Sequence, residues 1–101
     1  VEEDFPRIVG IVELGRGFSV VEETRYFQMP PSEIAYFGFV VHAYEGLAVV
    51  RTLDARVGLV EILVAPDLEE ELNALLKGLS QEIPLREVSP QEAERILSSK
   101  E

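Results

Sequence analysis

The chain has 101 residues, 47% of them apolar and 28% charged, and its 19 acidic against 9 basic side chains give a formal net charge of −10. That length makes one domain with a genuine core and leaves no room for two. The negative charge disfavours nucleic-acid phosphates and anionic lipid headgroups as partners, and the absence of cysteine excludes disulfides, thiolate chemistry and cysteine zinc sites.

Residues 1–6 are acidic and are expected to be loose. Residues 7–14, the turn Gly15-Arg16-Gly17 and residues 18–21 read as a β-hairpin with a glycine-bounded turn. The second arm continues through Met29, which is long for one strand, so a bend or bulge is expected near Glu22-Glu23. Pro30-Pro31 stops it, and Ser32 is the predicted N-cap of a helix over 33–44. On that helix Ile34, Phe37, Val41 and Tyr44 share a side for the sheet. Tyr36, Phe39 and Ala43 lie nearly opposite, so the helix is apolar on two sides and should be buried on two. The rival reading is a strand over 36–42, because those residues are aromatic and β-branched.

The centre of the chain is a second hairpin, 47–53 and 59–64, joined by Asp54-Ala55-Arg56-Val57-Gly58 with glycine at the end that tolerates positive φ. Setting Leu53 opposite Leu59 puts Arg51 opposite Glu61, Val49 opposite Leu63 and Leu47 opposite Ala65. The opposite charges favour that register, and a one-residue slip would lose the pair and turn every side chain over. Both faces are apolar: Ala48, Val50, Thr52, Val60, Ile62 and Val64 on one, and Leu47, Val49, Leu53, Leu59 and Leu63 around Arg51/Glu61 on the other. A two-layer domain wets one sheet face. Here the second face is expected to be covered by the N-terminal segment, another subunit or a ligand.

Pro66-Asp67 begins a helix over 68–79, with Asp67 as cap, Glu70 three residues on, and Glu69, Glu70 and Glu71 in the first turn, where the helix dipole favours anions. Leu68, Leu72, Leu75, Leu76 and Leu79 form its apolar stripe. A short strand, 85–88, precedes Ser89-Pro90-Gln91-Glu92, a helix start with proline at the first helical position. That last helix turns Ala93, Ile96 and Leu97 inward. The expected fold is therefore α+β: a ferredoxin-like β-α-β-β-α-β sandwich over 24–88, with an N-terminal hairpin extension over 7–23 and a C-terminal helix over 89–99, all in a single domain.

The stretch Tyr44-Glu45-Gly46-Leu47-Ala48-Val49-Val50-Arg51-Thr52-Leu53-Asp54 resembles an uncharacterised bacterial family, domain of unknown function 4911. Its members share a Y-E-G-L-A-x-V-R-T-x-D segment, a glycine turn, a second apolar strand ending near Ala65-Pro66-Asp67, and an acidic helix. The resemblance spans about residues 26–83. It implies a compact α+β unit and no activity, cofactor or mechanism.

Chemistry is thin. His42, the only histidine, lies beside Ala35 and Phe39 on the outward side of its helix, without a G-x-S-x-G elbow to present a serine to it. One histidine, no cysteine and no Asp-rich loop speak against a metal site. Gly15-Arg16-Gly17 lacks both the spacing and the following helix of a phosphate loop. Acylphosphatases share the ferredoxin-like fold and need an Arg in an early loop plus an Asn. Arg25 is present, but Asn73, the only Asn, falls on the wrong helix. Arg51 and Glu61 remain as a cross-strand pair, or as a site where Arg51 holds an anionic ligand or a carboxylate of another subunit.

The surplus of apolar surface, Tyr36, Phe39 and Ala43 on the helix and Val49, Leu53 and Leu63 on the sheet, points to a non-catalytic interaction or regulatory module acting as a homo-oligomer, a dimer by preference. Arg51, Glu61, His42, Tyr36 and Phe39 are the candidate ligand or interface residues. The alternative is a small-ligand sensor resembling the ACT-type domains, which share the strand order, although Pro30-Pro31-Ser32 stands where those domains carry a glycine loop. An enzyme built on His42, Arg51, Glu45 and Glu61 is the weakest reading. No cofactor, nucleic acid or membrane is implied: the apolar run over 34–53 is broken by His42, Glu45, Gly46 and Arg51. No basic leader opens the chain at Val1, and the cysteine-free composition suits the cytoplasm.

Overall fold

A computed structural model describes residues 8–13 and 19–99. The elements are β1 (Ile8–Glu13), β2 (Ser19–Gln28), α1 (Ile34–Ala43), β3 (Ala48–Asp54), β4 (Leu59–Val64), α2 (Glu69–Leu79), β5 (Arg86–Val88) and α3 (Pro90–Ser98). The expected loose segment 1–6 and the Gly15-Arg16-Gly17 turn lie outside the described residues. The fold is α+β on one antiparallel sheet in the order β1-β2-β4-β3, with β5 also paired to β2. The chain order departs from a plain β-α-β-β-α-β by β1 in front and α3 behind.

β2 is the central strand and uses both edges. β4 pairs along Glu23–Gln28 on one side, while β1 (against Ser19–Thr24) and β5 (against Tyr26–Gln28) follow one another on the other side. With partners along both edges a long strand needs no break, and β1 keeps a single register through Glu22 and Glu23. The expected bulge there is absent.

The bulge lies instead in β3. Arg51 pairs with Glu61, Val49 with Leu63 and Thr52 with Val60, as the charge pairing requires, but the ladder then shifts so that Asp54, not Leu53, faces Leu59. The extra residue sends the strand into a 3-10 turn, Ala55–Val57, where the Asp54 carboxylate accepts from the Arg56 N–H at 3.1 Å. Gly58 closes the turn at φ 73°. A β-carbon there would lie 1.6 Å from the Met29 carbonyl oxygen, because the Met29 N–H donates to the Gly58 carbonyl at 3.0 Å. Only glycine satisfies both the angle and the approach.

α1 settles the helix-or-strand question by burial. Phe37 and Val41, four apart, are fully buried, while Phe39 between them is 73% exposed. A strand would have put all three on one face. The helix opens one residue late, after a 3-10 turn at Pro31–Glu33. Ser32 sits inside that turn and caps nothing. It also ends at Ala43, so Tyr44 leaves the helix and is exposed instead of facing the sheet. Tyr44-Glu45-Gly46-Leu47 is a tight turn, closed by the Leu47 N–H on the Tyr44 carbonyl at 3.0 Å with Gly46 at φ 79°. The turn swings Leu47 into the helix-side core, not onto the far face with Val49.

α2 likewise follows a 3-10 turn, Pro66–Leu68, and Asp67 makes no cap bond. Leu72, Leu76 and Leu79 are buried, with Leu68 and Leu75 partly so. α1 and α2 cover one sheet face, packing on Phe27, Val60, Ile62 and Val64. Each such side chain contributes about 1.5–3 kcal/mol on burial.

The second face is covered in part, by an element that the N-terminal segment, subunit and ligand expectations all left out. α3 places Ala93, Ile96 and Leu97 over Leu59, Val88, Tyr26 and Leu53. Ser89 caps it, accepting from the Glu92 N–H at 3.1 Å, and Arg86 bonds both Glu92 (3.0 Å) and Gln28 (2.5 Å) to tie it to the sheet. α3 reaches only the Leu59 end. At the other end Val49 is half exposed.

Candidate functional site

The five residues singled out from the sequence fall into two places on opposite sides of the sheet. Arg51 and Glu61 lie on the face away from α1, in a row that runs Tyr26–Glu61–Arg51 across β2, β4 and β3. The Arg51 Nε–H and one terminal N–H both donate to Glu61 Oε1, at 2.9 and 2.6 Å. The Arg51 side chain is 60% exposed and that of Glu61 only 11%. Burial first, then the charge and hydrogen bond of Glu61, push the Tyr26 phenol above its ordinary value. Glu61 is thus a nearly buried carboxylate satisfied from both sides, which supports a structural pair more than a ligand clamp.

Tyr36, Phe39 and His42 belong to α1. His42 is exposed, yet its Nε2 accepts the Val50 N–H at 3.1 Å. Because β3 is an edge strand, this imidazole masks a main-chain donor that would otherwise stand open. Accepting through Nε2 leaves the ring proton on Nδ1. Phe39 projects outward, flanked by the exposed Ala35 and Ala43. His42 and Glu61, which an acid–base enzyme would have needed together, are separated by the sheet itself. Among the described residues no group of three or more His, Cys, Asp or Glu is placed to hold a metal ion.

A groove was not anticipated. Between α1 and α2 runs an open groove of about 810 Å³. Its floor is Val40, Leu47, Leu68, Leu75 and Leu79, its α1 wall is Tyr36 with Tyr44 just beyond, and its α2 wall is low because Ala74 and Gly78 stand there. Glu45, Glu71 and Glu82 form the rim, and no Lys, Arg or His is among the lining. The Tyr36 hydroxyl donates to Glu82 Oε1 at 2.7 Å, joining the start of α1 to the turn after α2. That hydrogen bond, then the carboxylate charge, holds the Tyr36 phenol above its ordinary value. The local signal was present in the stripe: a leucine helix with Ala74 and Gly78 beside it has a low outer shoulder. Which helix would stand opposite was not in the pattern.

A second unforeseen cluster centres on one buried cation. Arg25, 6% exposed, grips Glu87 with two bonds (3.1 and 2.9 Å), donates to Asn73 Oδ1 at 2.7 Å and lies 3.7 Å from Glu69, its guanidinium over the Phe27 ring. Of the acidic residues at the start of α2, Glu69 lies toward this cation, while Asp67, Glu70 and Glu71 are exposed. Arg25 and Asn73 do meet, but the guanidinium is already taken by Glu87 and lies beside Glu69, at a site where Asn73 itself is exposed. The cluster ties α2 to β2 and β5 and is structural in character.

No helix among the described residues is long and apolar enough to cross a membrane. No curated protein and no solved structure matches the chain. The family described as domain of unknown function DUF4911 matches residues 27–83, a span that takes in the groove, His42, Phe39 and the Arg51/Glu61 pair but leaves out β5 and α3. With more than half its length matched, the chain belongs to the DUF4911 family.

Proposed function

We propose that the protein is a non-catalytic interaction module that works as a homodimer through the outer side of α1. The observation that carries this reading is Phe39, 73% exposed on a helix whose opposite side is already buried. α1 is apolar all round but covered on one side only, and contiguous surface of that kind marks an interface. α1 contains no Asp, Glu, Lys or Arg. In a chain of net charge −10, that is a place where two copies can meet without setting carboxylates against each other. His42 blocks one donor on the β3 edge, which favours helix-on-helix contact over strand pairing. The sheet contributes less than expected: Leu53 and Leu63 are partly covered, and Val49 remains.

Light scattering at micromolar concentration tests it. The wild type should run at twice 11.3 kDa, and Phe39→Glu should run as a folded monomer, since Phe39 contributes little to the core. A wild-type monomer sinks the reading.

The core order β2-α1-β3-β4-α2-β5, with the sheet path β5-β2-β4-β3, supports a ferredoxin-like core and with it the alternative of a small-ligand sensor resembling ACT-type domains. Fold alone does not license function. A thermal-shift screen of metabolites without a stabilising compound removes that alternative. The acidic surface argues against nucleic acid, and the cysteine-free chain suits the cytoplasm.

A further inference from the structure

We infer that the groove between α1 and α2 receives an amphipathic helix of a partner protein, its apolar stripe flanked by Lys or Arg. The floor of Val40, Leu47, Leu68, Leu75 and Leu79 offers apolar area. The rim offers only negative charge, from Glu45, Glu71 and Glu82, with no basic lining residue to offset it. A basic flank meets complementary charge there. A second copy of this chain, at net charge −10, or an anionic lipid surface meets like charge.

The walls decide the conformation of the occupant. Both are helical, and no strand lines the groove. An extended segment would lay its N–H and C=O groups against apolar side chains without partners, whereas a helix satisfies its own. Ala74 and Gly78 on α2 let a third helix sit close. α1 has ten residues, about 15 Å of helix, enough to bed about three turns of a partner. This inference goes beyond self-association: Phe39 does not line the groove, and a monomeric chain would bind the same way.

The test is fluorescence anisotropy with a labelled Leu/Lys peptide carrying Leu at helical i, i+3, i+4 and i+7 positions. Binding should saturate and weaken with salt. Gly78→Leu should reduce it by about tenfold or more, the loss expected when a central anchor is shut out. Beyond its chain neighbours and its own helix backbone, no atom lies within 4 Å of a β-carbon added at Gly78, so there is room for the side chain to fill the groove; Ala74→Phe is the second block, and circular dichroism checks that both variants fold. Glu71→Lys should weaken binding, and Glu94→Lys on α3 should not. The inference is overturned if Gly78→Leu and Ala74→Phe bind like the wild type, if Glu94→Lys costs as much as Glu71→Lys, or if a Leu/Glu peptide or a sequence-scrambled Leu/Lys peptide binds equally well.

Discussion

The Nε2 atom of His42, on α1, accepts the main-chain N–H of Val50, on the edge strand β3, at 3.1 Å. One side chain thus does two things: it fastens a helix to the sheet rim, and it closes a donor that a second strand could otherwise use. His42→Ala should therefore lose about 0.5–1.5 kcal/mol, the net value of one such bond. It should also expose the Val50 amide. Hydrogen exchange followed by NMR checks this: the Val50 amide should exchange faster in the variant, while those of β4 stay protected. Unchanged protection at Val50 would show that the bond contributes nothing.

Arg25 is the buried cation that binds β5 and α2 to the central strand. Replacing it with Leu leaves Glu87 and Glu69 facing an apolar pocket. The loss should fall toward the lower end of the about 3–5 kcal/mol typical of breaking a buried pair, because the Glu87 and Glu69 side chains remain 20% and 23% exposed. Arg25→Lys should recover only part, since an ammonium cannot reproduce the two-pronged contact with Glu87. Urea unfolding midpoints decide the order. A Lys variant equal to wild type would show that charge alone, not the fork geometry, holds the cluster.

Tyr26 gives the domain an alkaline limit. Its phenol is held above the ordinary 10.0 by burial first and by Glu61 second. A raised folded-state value means that the neutral phenol is favoured by folding. The contribution is fully present below 10.0 and is lost as pH rises through the folded-state value. The difference in melting temperature between the wild type and Tyr26→Phe should therefore shift against the wild type as pH rises above 10.0. In Glu61→Gln, the ultraviolet titration of Tyr26 should move down, toward the ordinary value. A Tyr26→Phe difference that stays flat with pH contradicts this account.

Local chemistry made part of this legible in advance. Arg51 met Glu61 because strand side chains alternate with a period of two and opposite charges penalise a slip. Gly58 took positive φ because a turn that short demanded it, and Ser89-Pro90 opened α3. The errors were also local in cause. The β3 bulge moved Leu53 off Leu59, and the 3-10 turns at Pro31–Glu33 and Pro66–Leu68 displaced Ser32 and Asp67 from their expected caps. Propensity does not separate one turn of 3-10 from the first turn of an α-helix.

By itself, then, the sequence determined the strands, α2 and α3, the central register and the acidic, cysteine-free character of the chain, because each is a local property, whereas burial had to choose helix over strand for α1. Tertiary structure alone decided that Arg25 would meet Glu87, 62 residues away, that α3 would roof Leu59, and that α1 and α2 would leave an acid-rimmed groove between them. Those outcomes depend on which faces pack together across the sheet, and no period along the chain records that.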